Sequence, residues 1–281
     1  MMHAWNRFLA GSLVLVATVM VVALPTVVLA GSKIEVGRRC GESDRPALAE
    51  VNHADFDALL QKYVDERGMV SYAAWKSNAG DLKALDAYLT RAGCVDLRKP
   101  AGREAKLVHF INVYNALTLH GILREYPTTS IRNHTAKFAG YNIWKDLVVW
   151  IDDKTYSLDD IEHKVLRKLG EPRIHLAVVC ASKGCPQLAN HAYSEKGLDE
   201  QLTANGKRFF AQPENFQADA SSKTVSISQL FEWYGTDFAP TAVEQLRVLQ
   251  PMLPVDVSSW SGTSVRYLSY DWSLNDRSRT R

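Results

Sequence analysis

Two cysteines five positions apart are the residues of this chain best suited to chemistry. They lie in Pro172–Leu188, PRIHLAVVCASKGCPQL. Ile174–Val179 is a short apolar run bounded by Pro172 and by Ser182-Lys183-Gly184, which predicts a buried strand. The turn that follows ends at Cys185-Pro186. A cysteine at a helix N-cap, with proline at the first helical position, faces free N–H groups and the positive end of the helix dipole. Both favour thiolate over thiol. Cys185 is therefore the expected nucleophile. Such a nucleophile needs an imidazole within hydrogen-bond reach and a group that orients the imidazole. His163 and His175 lie just upstream. Regular strand alternation would bury Cys180 with Ile174, Leu176 and Val178 and turn His175 to the opposite face. The preferred pair is then Cys185 with His163, and Glu162, Asn112 or Asn115 supplies the third group. The candidate catalytic residues are Cys185, His163, Asn115, Cys180 and Glu162, and the reaction would be that of a cysteine-dependent hydrolase or acyltransferase on amide or peptide-type substrates.

A competing reading uses the same cysteines without catalysis. Cys40, Cys94, Cys180 and Cys185 allow three pairings. Cys40–Cys94 with Cys180–Cys185 is the most natural, a distant tether plus a local loop. The chain would then be a structural or protein-interaction domain. A thiol–disulfide switch is a third reading, but the five-residue step is not the C-x-x-C of efficient dithiol oxidoreductases. No zinc-ligand spacing and no glycine-rich phosphate loop occurs, so no cofactor or metal is expected.

The elements that would hold these groups can be read from periodicity. Glu104–Tyr126, EAKLVHFINVYNALTLHGILREY, is the strongest helix: long, free of proline, and apolar around most of its circumference. It should be central and buried. Asn112 and Asn115 share one of its faces, where each either ties down neighbouring backbone or orients a catalytic group. Asn52–Tyr63 and Ala73–Gly93 have amphipathic helical spacing. Tyr141–Ile151 reads as one or two strands, with a hairpin turn at Asp152-Asp153-Lys154. Ser157 caps a helix over Leu158–Leu169. Leu198–Phe210 and Pro240–Leu249 read as helices, Thr224–Ile227 and Ser264–Tyr270 as strands, and Ser228 caps a helix that runs through Tyr234. This order implies an α+β fold: a single domain with a central buried helix on a small mixed or antiparallel sheet, of papain or transglutaminase-like type.

Residues 1–30 read as a secretory signal peptide: an apolar run over Phe8–Leu24, Pro25, then small residues up to Ala30. If the segment is retained, it is a membrane anchor. Residues 31–50 read as a polar linker, 51–276 as the folded domain and 277–281 as a solvated tail. An exported chain meets an oxidising compartment, periplasmic or extracellular, where cysteines tend to pair. With 33 basic and 31 acidic side chains, the net charge of +2 gives no reason to expect nucleic acid as a partner. The expected partner is a peptide or small-molecule substrate, or another protein.

Several separated stretches together resemble one family. They are Val64–Tyr72 with Trp75, the helix FINVYNALTLHGIL, the run YSLDDIEHKVLRKLGEPRIHLAVVCASKGCPQL, the segment SQLFEWYGTDF and the ending YLSYDWSLND. In this order they are similar to domain of unknown function 547, over about residues 50–276. Phe110-Ile111-Asn112 stands where the family pattern would have a Trp, and Lys183-Gly184 where Ser is common; neither departure touches a titrating group. The resemblance implies a single domain, often exported in bacteria and joined to coiled-coil or regulatory segments in plants. It implies no particular reaction.

Overall fold

Helix α4 (Arg103–Glu125) organises the molecule, and its apolar circumference is the reason. Seventeen of its residues are buried, so neighbouring elements cover it on every side. The computed structural model describes residues 33–41, 45–136 and 140–279. The expected signal peptide at 1–30 lies outside the described residues. Among those described, no helix is long and apolar enough to cross a membrane.

Helices α1 (Ala54–Tyr63), α2 (Tyr72–Ser77) and α3 (Ala79–Gly93) precede α4. The single helix expected over Ala73–Gly93 is broken at Asn78, whose side chain accepts from the Asp81 N–H and caps α3. A short helix α5 (Ile143–Asp146) leads into strand β2 (Leu147–Ile151), which turns through Asp152 into β3 (Lys154–Ser157). Strand β1 (Ile34–Val36) pairs parallel with β2, and β3 pairs antiparallel with it. Part of the expected linker is therefore sheet. Its position is held by a Cys40–Cys94 disulfide to the end of α3 and by buried Arg45, which pairs with Asp152 and Asp153 of the hairpin. At Gly121 a Cβ would come within 2.6 Å of Leu147 and 2.9 Å of Ile143, so glycine lets α4 lie close on β2.

A second mixed sheet contains β4 (Phe216–Asp219), β5 (Thr224–Ser228) and β6 (Ser264–Leu268), in that order. With helices α6 (Leu198–Phe210), α7 (Leu230–Phe238) and α8 (Ala242–Leu249) it encloses a smaller aromatic core around Phe209, Phe210 and Phe231. The architecture is single-domain α+β with a central buried helix on a small mixed sheet, as expected.

Two expectations fail beside the cysteines. Ile174–Val179 is not a strand. Pro172–Leu176 forms a 3-10 turn, and the chain then runs irregularly to Cys180, in neither sheet. Proline at the first helical position and Glu171, which accepts from the Arg173 N–H, start that turn. The expected helix Leu158–Leu169 is a π-helical stretch at Asp160–Val165 followed by a 3-10 turn at Leu166–Leu169. Such departures from α geometry are frequent at functional sites.

Candidate functional site

The thiol turn is fastened at both ends to one face of α4. Asn115 donates to the Ala177 carbonyl at 3.0 Å and accepts from the Val179 N–H at 3.0 Å. Asn112, one turn earlier, does the same for Tyr193 through two bonds of 2.9 Å. Both amides are buried and satisfied by backbone on oxygen and nitrogen. They hold the loop between residues 177 and 193, and the hydrogen bonds of Asn115 go to backbone rather than to an imidazole.

The middle of the loop is held by the C-terminal segment. Lys183 N–H donates to the Ser273 carbonyl and Gly184 N–H to the Asp271 carbonyl, both at 2.8 Å, and Asn275 N–H donates to the Ala181 carbonyl at 3.0 Å. Gly184 lies so close that a Cβ would be 2.7 Å from the Asp271 nitrogen. Ala181, between Cys180 and Ser182, has φ +60°. This left-handed conformation costs a non-glycine residue about 1–2 kcal/mol and aims the cysteines on either side of it.

Cys180 and Cys185 are separate thiols, their sulfurs 3.3 Å apart. The expected Cys180–Cys185 disulfide is absent. The expected helix at Cys185-Pro186 is absent as well, because the chain after Cys185 continues without helix to Tyr193. The two thiols have opposite character. Cys180 is lowered to about 7: hydrogen bonding from the Cys185 thiol is the largest cause, and it outweighs burial with the help of Ser182 and Tyr270. The Ser182 and Tyr270 hydroxyls each lie 3.1 Å from the Cys180 sulfur. Burial raises Cys185 well above the ordinary value, and its contact with Cys180 raises it further. The Cys180 N–H, 3.0 Å from the Cys185 sulfur, pulls the other way and is outweighed. Cys180 is thus the more acidic thiol and Cys185 the one that keeps its proton. This reverses the expected roles, because the helix dipole invoked for Cys185 does not exist.

Cys180 opens on a cavity of about 120 Å³. His175, Glu162, Tyr114 and Cys185 share its wall with Trp144, Trp233, Tyr234, Tyr270 and Trp272. His175 is buried, its Nε2 is 2.8 Å from Asp237 Oδ2, and its ring stacks on Tyr234 at 4.2 Å. Burial lowers its pKa, against an opposing hydrogen bond from Asp237. Arg167 grips Asp237 with two bonds of 2.6 and 2.7 Å and holds that carboxylate down at about 2. A neutral His175 that donates from Nε2 to Asp237 keeps its lone pair on Nδ1. His175 and Cys180 therefore share one cavity, contrary to the alternation argument, since no regular strand separates them.

His163 lies elsewhere. It opens on an adjacent cavity of about 210 Å³ that shares Trp144, Glu162 and Tyr234 but contains neither cysteine. Arg167 Nη1 lies 3.1 Å from its Nδ1, and the donating guanidinium occupies that lone pair. Glu162 is buried between the two cavities and accepts from the Tyr114 hydroxyl at 3.1 Å. The structure thus brings Cys180, Cys185 and Glu162 together and leaves His163 and Asn115 apart from the thiols. Asp237 and Tyr270 were not singled out from the sequence. Their signal lay in the segments SQLFEWYGTDF and YLSYDWSLND, which belong to the family resemblance. Among the described residues no group of His, Cys, Asp and Glu is placed to hold a metal.

Comparison with known proteins gives one match. Residues 98–210 fit the family model described as protein of unknown function, DUF547, a span that includes α4 and both thiols. No curated protein and no solved structure matches.

Proposed function

We propose that this chain, whose residues 98–210 carry the DUF547 domain, is a cysteine-dependent hydrolase or acyltransferase that uses Cys180. The observation that carries this reading is the Cys180 sulfur, in contact with the Cys185 thiol and with the Ser182 and Tyr270 hydroxyls, and open to a cavity that also contains the Asp237-held His175. A sulfur held as thiolate needs no base to attack. It adds to the acyl carbon, the S–C bond forms, and the leaving group departs with its electron pair. Neutral His175 then takes the proton from the water or amine that attacks the thioester, and Asp237 stabilises the imidazolium formed. The carboxylate or new amide leaves, Cys180 returns as thiolate, and the imidazolium releases its proton to solvent. Because His175 enters this cycle without a proton to give, donors whose leaving group departs unprotonated, aryl esters and thioesters, are favoured over amides and alkyl esters.

The test is p-nitrophenyl acetate with the full chain under reducing conditions. An acetyl adduct should map to Cys180 and be absent in Cys180→Ser, and His175→Ala should accumulate the adduct by slowing its hydrolysis. Nitrophenol release without an adduct on Cys180 would refute the reading. The free thiols argue against the purely structural alternative, which needed Cys180 and Cys185 joined. The Cys40–Cys94 disulfide supports our inference that residues 1–30 direct export.

A further inference from the structure

The cavity beside Cys180 has one feature that acyl transfer does not use: its walls are electron-rich. Trp144 and Trp272 meet almost at a right angle, 79°, with ring centres 6.4 Å apart. Trp233 and Tyr270 pack against Trp272 at 5.7 and 4.6 Å, and the four rings line the cavity as an aromatic box. Trp233 is 41% exposed and forms the rim. Aromatic faces attract cations through the ring quadrupole. On the outside of the site this already happens, since Arg132 lies over the Trp272 ring at 5.1 Å and Arg167 over Tyr234 at 5.7 Å. Tyr234 has His175 against its ring as well, so its face is used and it contributes to the wall rather than to the box.

The charges that face the cavity have one sign. Glu162 is buried in its wall, and its hydrogen-bond partners there are two neutral phenols, Tyr114 and Tyr234. The nearby guanidinium, Arg167, is committed to Asp237. Among the described residues Glu162 has no ion pair of its own, only the longer-range attraction of Arg167, and a cationic ligand would supply a close counter-charge. At about 120 Å³ the space is well below the roughly 300–1,000 Å³ of sites that enclose whole ligands, so it takes one end of a larger molecule.

We propose that this box binds an alkylammonium group of the substrate, held on Trp144, Trp233, Tyr270 and Trp272 with Glu162 as counter-charge. The identification of that molecule as a substrate rests on the acyl-transfer reading; the binding does not. The probe is choline, compared with its uncharged carbon isostere 3,3-dimethylbutan-1-ol, as protectants of Cys180 against iodoacetamide in the full chain. Choline should slow Cys180 alkylation at concentrations about tenfold below those the isostere requires. Glu162→Gln and Trp233→Leu should each weaken that protection about tenfold, and Trp233, at the rim, can be replaced without disturbing the core. Equal protection by both compounds would show an apolar pocket and overturn the cation site, as would no protection by either. Choline protection without an acetyl adduct on Cys180 would leave the cation site standing and remove the acyl-transfer reading; the reverse result would do the opposite.

Discussion

The sulfur of Cys180 lies 3.3 Å from that of Cys185, and their environments divide one proton unequally between them. Cys185, more deeply buried, keeps its proton, while the Cys180 sulfur also lies against two hydroxyl groups. This division makes one of two cysteines in the same turn reactive.

The same distance predicts the response to oxidation. A hydroperoxide should convert the Cys180 thiolate to a sulfenic acid and be reduced to an alcohol or water. The Cys185 thiol should then attack the Cys180 sulfur and expel water to form the disulfide. Mass mapping should show loss of two hydrogens across these cysteines, reversed by dithiothreitol. In Cys185→Ser the oxidation should proceed instead to sulfinic acid. Persistence of both thiols under peroxide would refute this.

Asn115 is predicted to matter through stability. Asn115→Ala leaves the Ala177 carbonyl and the Val179 N–H without their partner in a buried setting. The expected loss is about 3 kcal/mol, measurable by urea unfolding. A loss below about 0.5 kcal/mol would show that the amide does not hold the loop, since the cost of even one unpaired buried group exceeds this.

How much of this was legible in the sequence depends on the regularity of each element. The circumferential apolar pattern of α4 and the shared face of Asn112 and Asn115 follow from helical periodicity, and the structure has both. His175 and Cys180 were separated by an argument that holds only for a regular strand. The 3-10 turn at Pro172–Leu176 has a different period and exchanged His163 for His175, while the absence of a helix after Cys185 exchanged Cys185 for Cys180. Asp237 and Tyr270 reach the site from 62 and 90 residues away, through tertiary contacts that no local pattern encodes.

Two histidines outside the site set an acid limit on stability. His53 falls to about 4 because burial disfavours its charge, and His109 to about 3 because of burial and then His53. Neither ring nitrogen of His109 has a partner within the protein. Both folded-state values lie below the unfolded value of about 6.5. The unfolded chain therefore takes up protons that the folded chain refuses, and stability is full above pH 6.5 and falls as pH drops toward 4. For each group the loss between pH 6.5 and 5 should be about 2 kcal/mol. His109→Leu should raise stability at pH 5 and flatten the pH dependence; an unchanged slope would contradict it.

Asp237 links Arg167 to His175, and its removal should separate positioning from nucleophilicity. Asp237→Asn retains the shape but loses the charge that holds the guanidinium and stabilises the imidazolium. Folding should weaken by about 2 kcal/mol, and hydrolysis of the acetyl adduct on Cys180 should slow at least tenfold. Alkylation of Cys180 itself should be little changed, since its thiolate is held by Cys185, Ser182 and Tyr270. A parallel collapse of alkylation would mean that the imidazole supplies the thiolate after all.

In the proposed reaction Cys180, and not Cys185, carries the thiolate. The most direct measurement is the rate of iodoacetamide alkylation at each cysteine of the reduced, native chain across pH 5–10, read by mass mapping. Cys180 should react first, with a midpoint of about 7, and the midpoint should move upward in Cys185→Ala as the largest stabilising contact is lost. Cys185 should stay unreacted over the range where Cys180 titrates. Earlier alkylation of Cys185, or a Cys180 midpoint at the unperturbed value of about 8.5, would contradict the account.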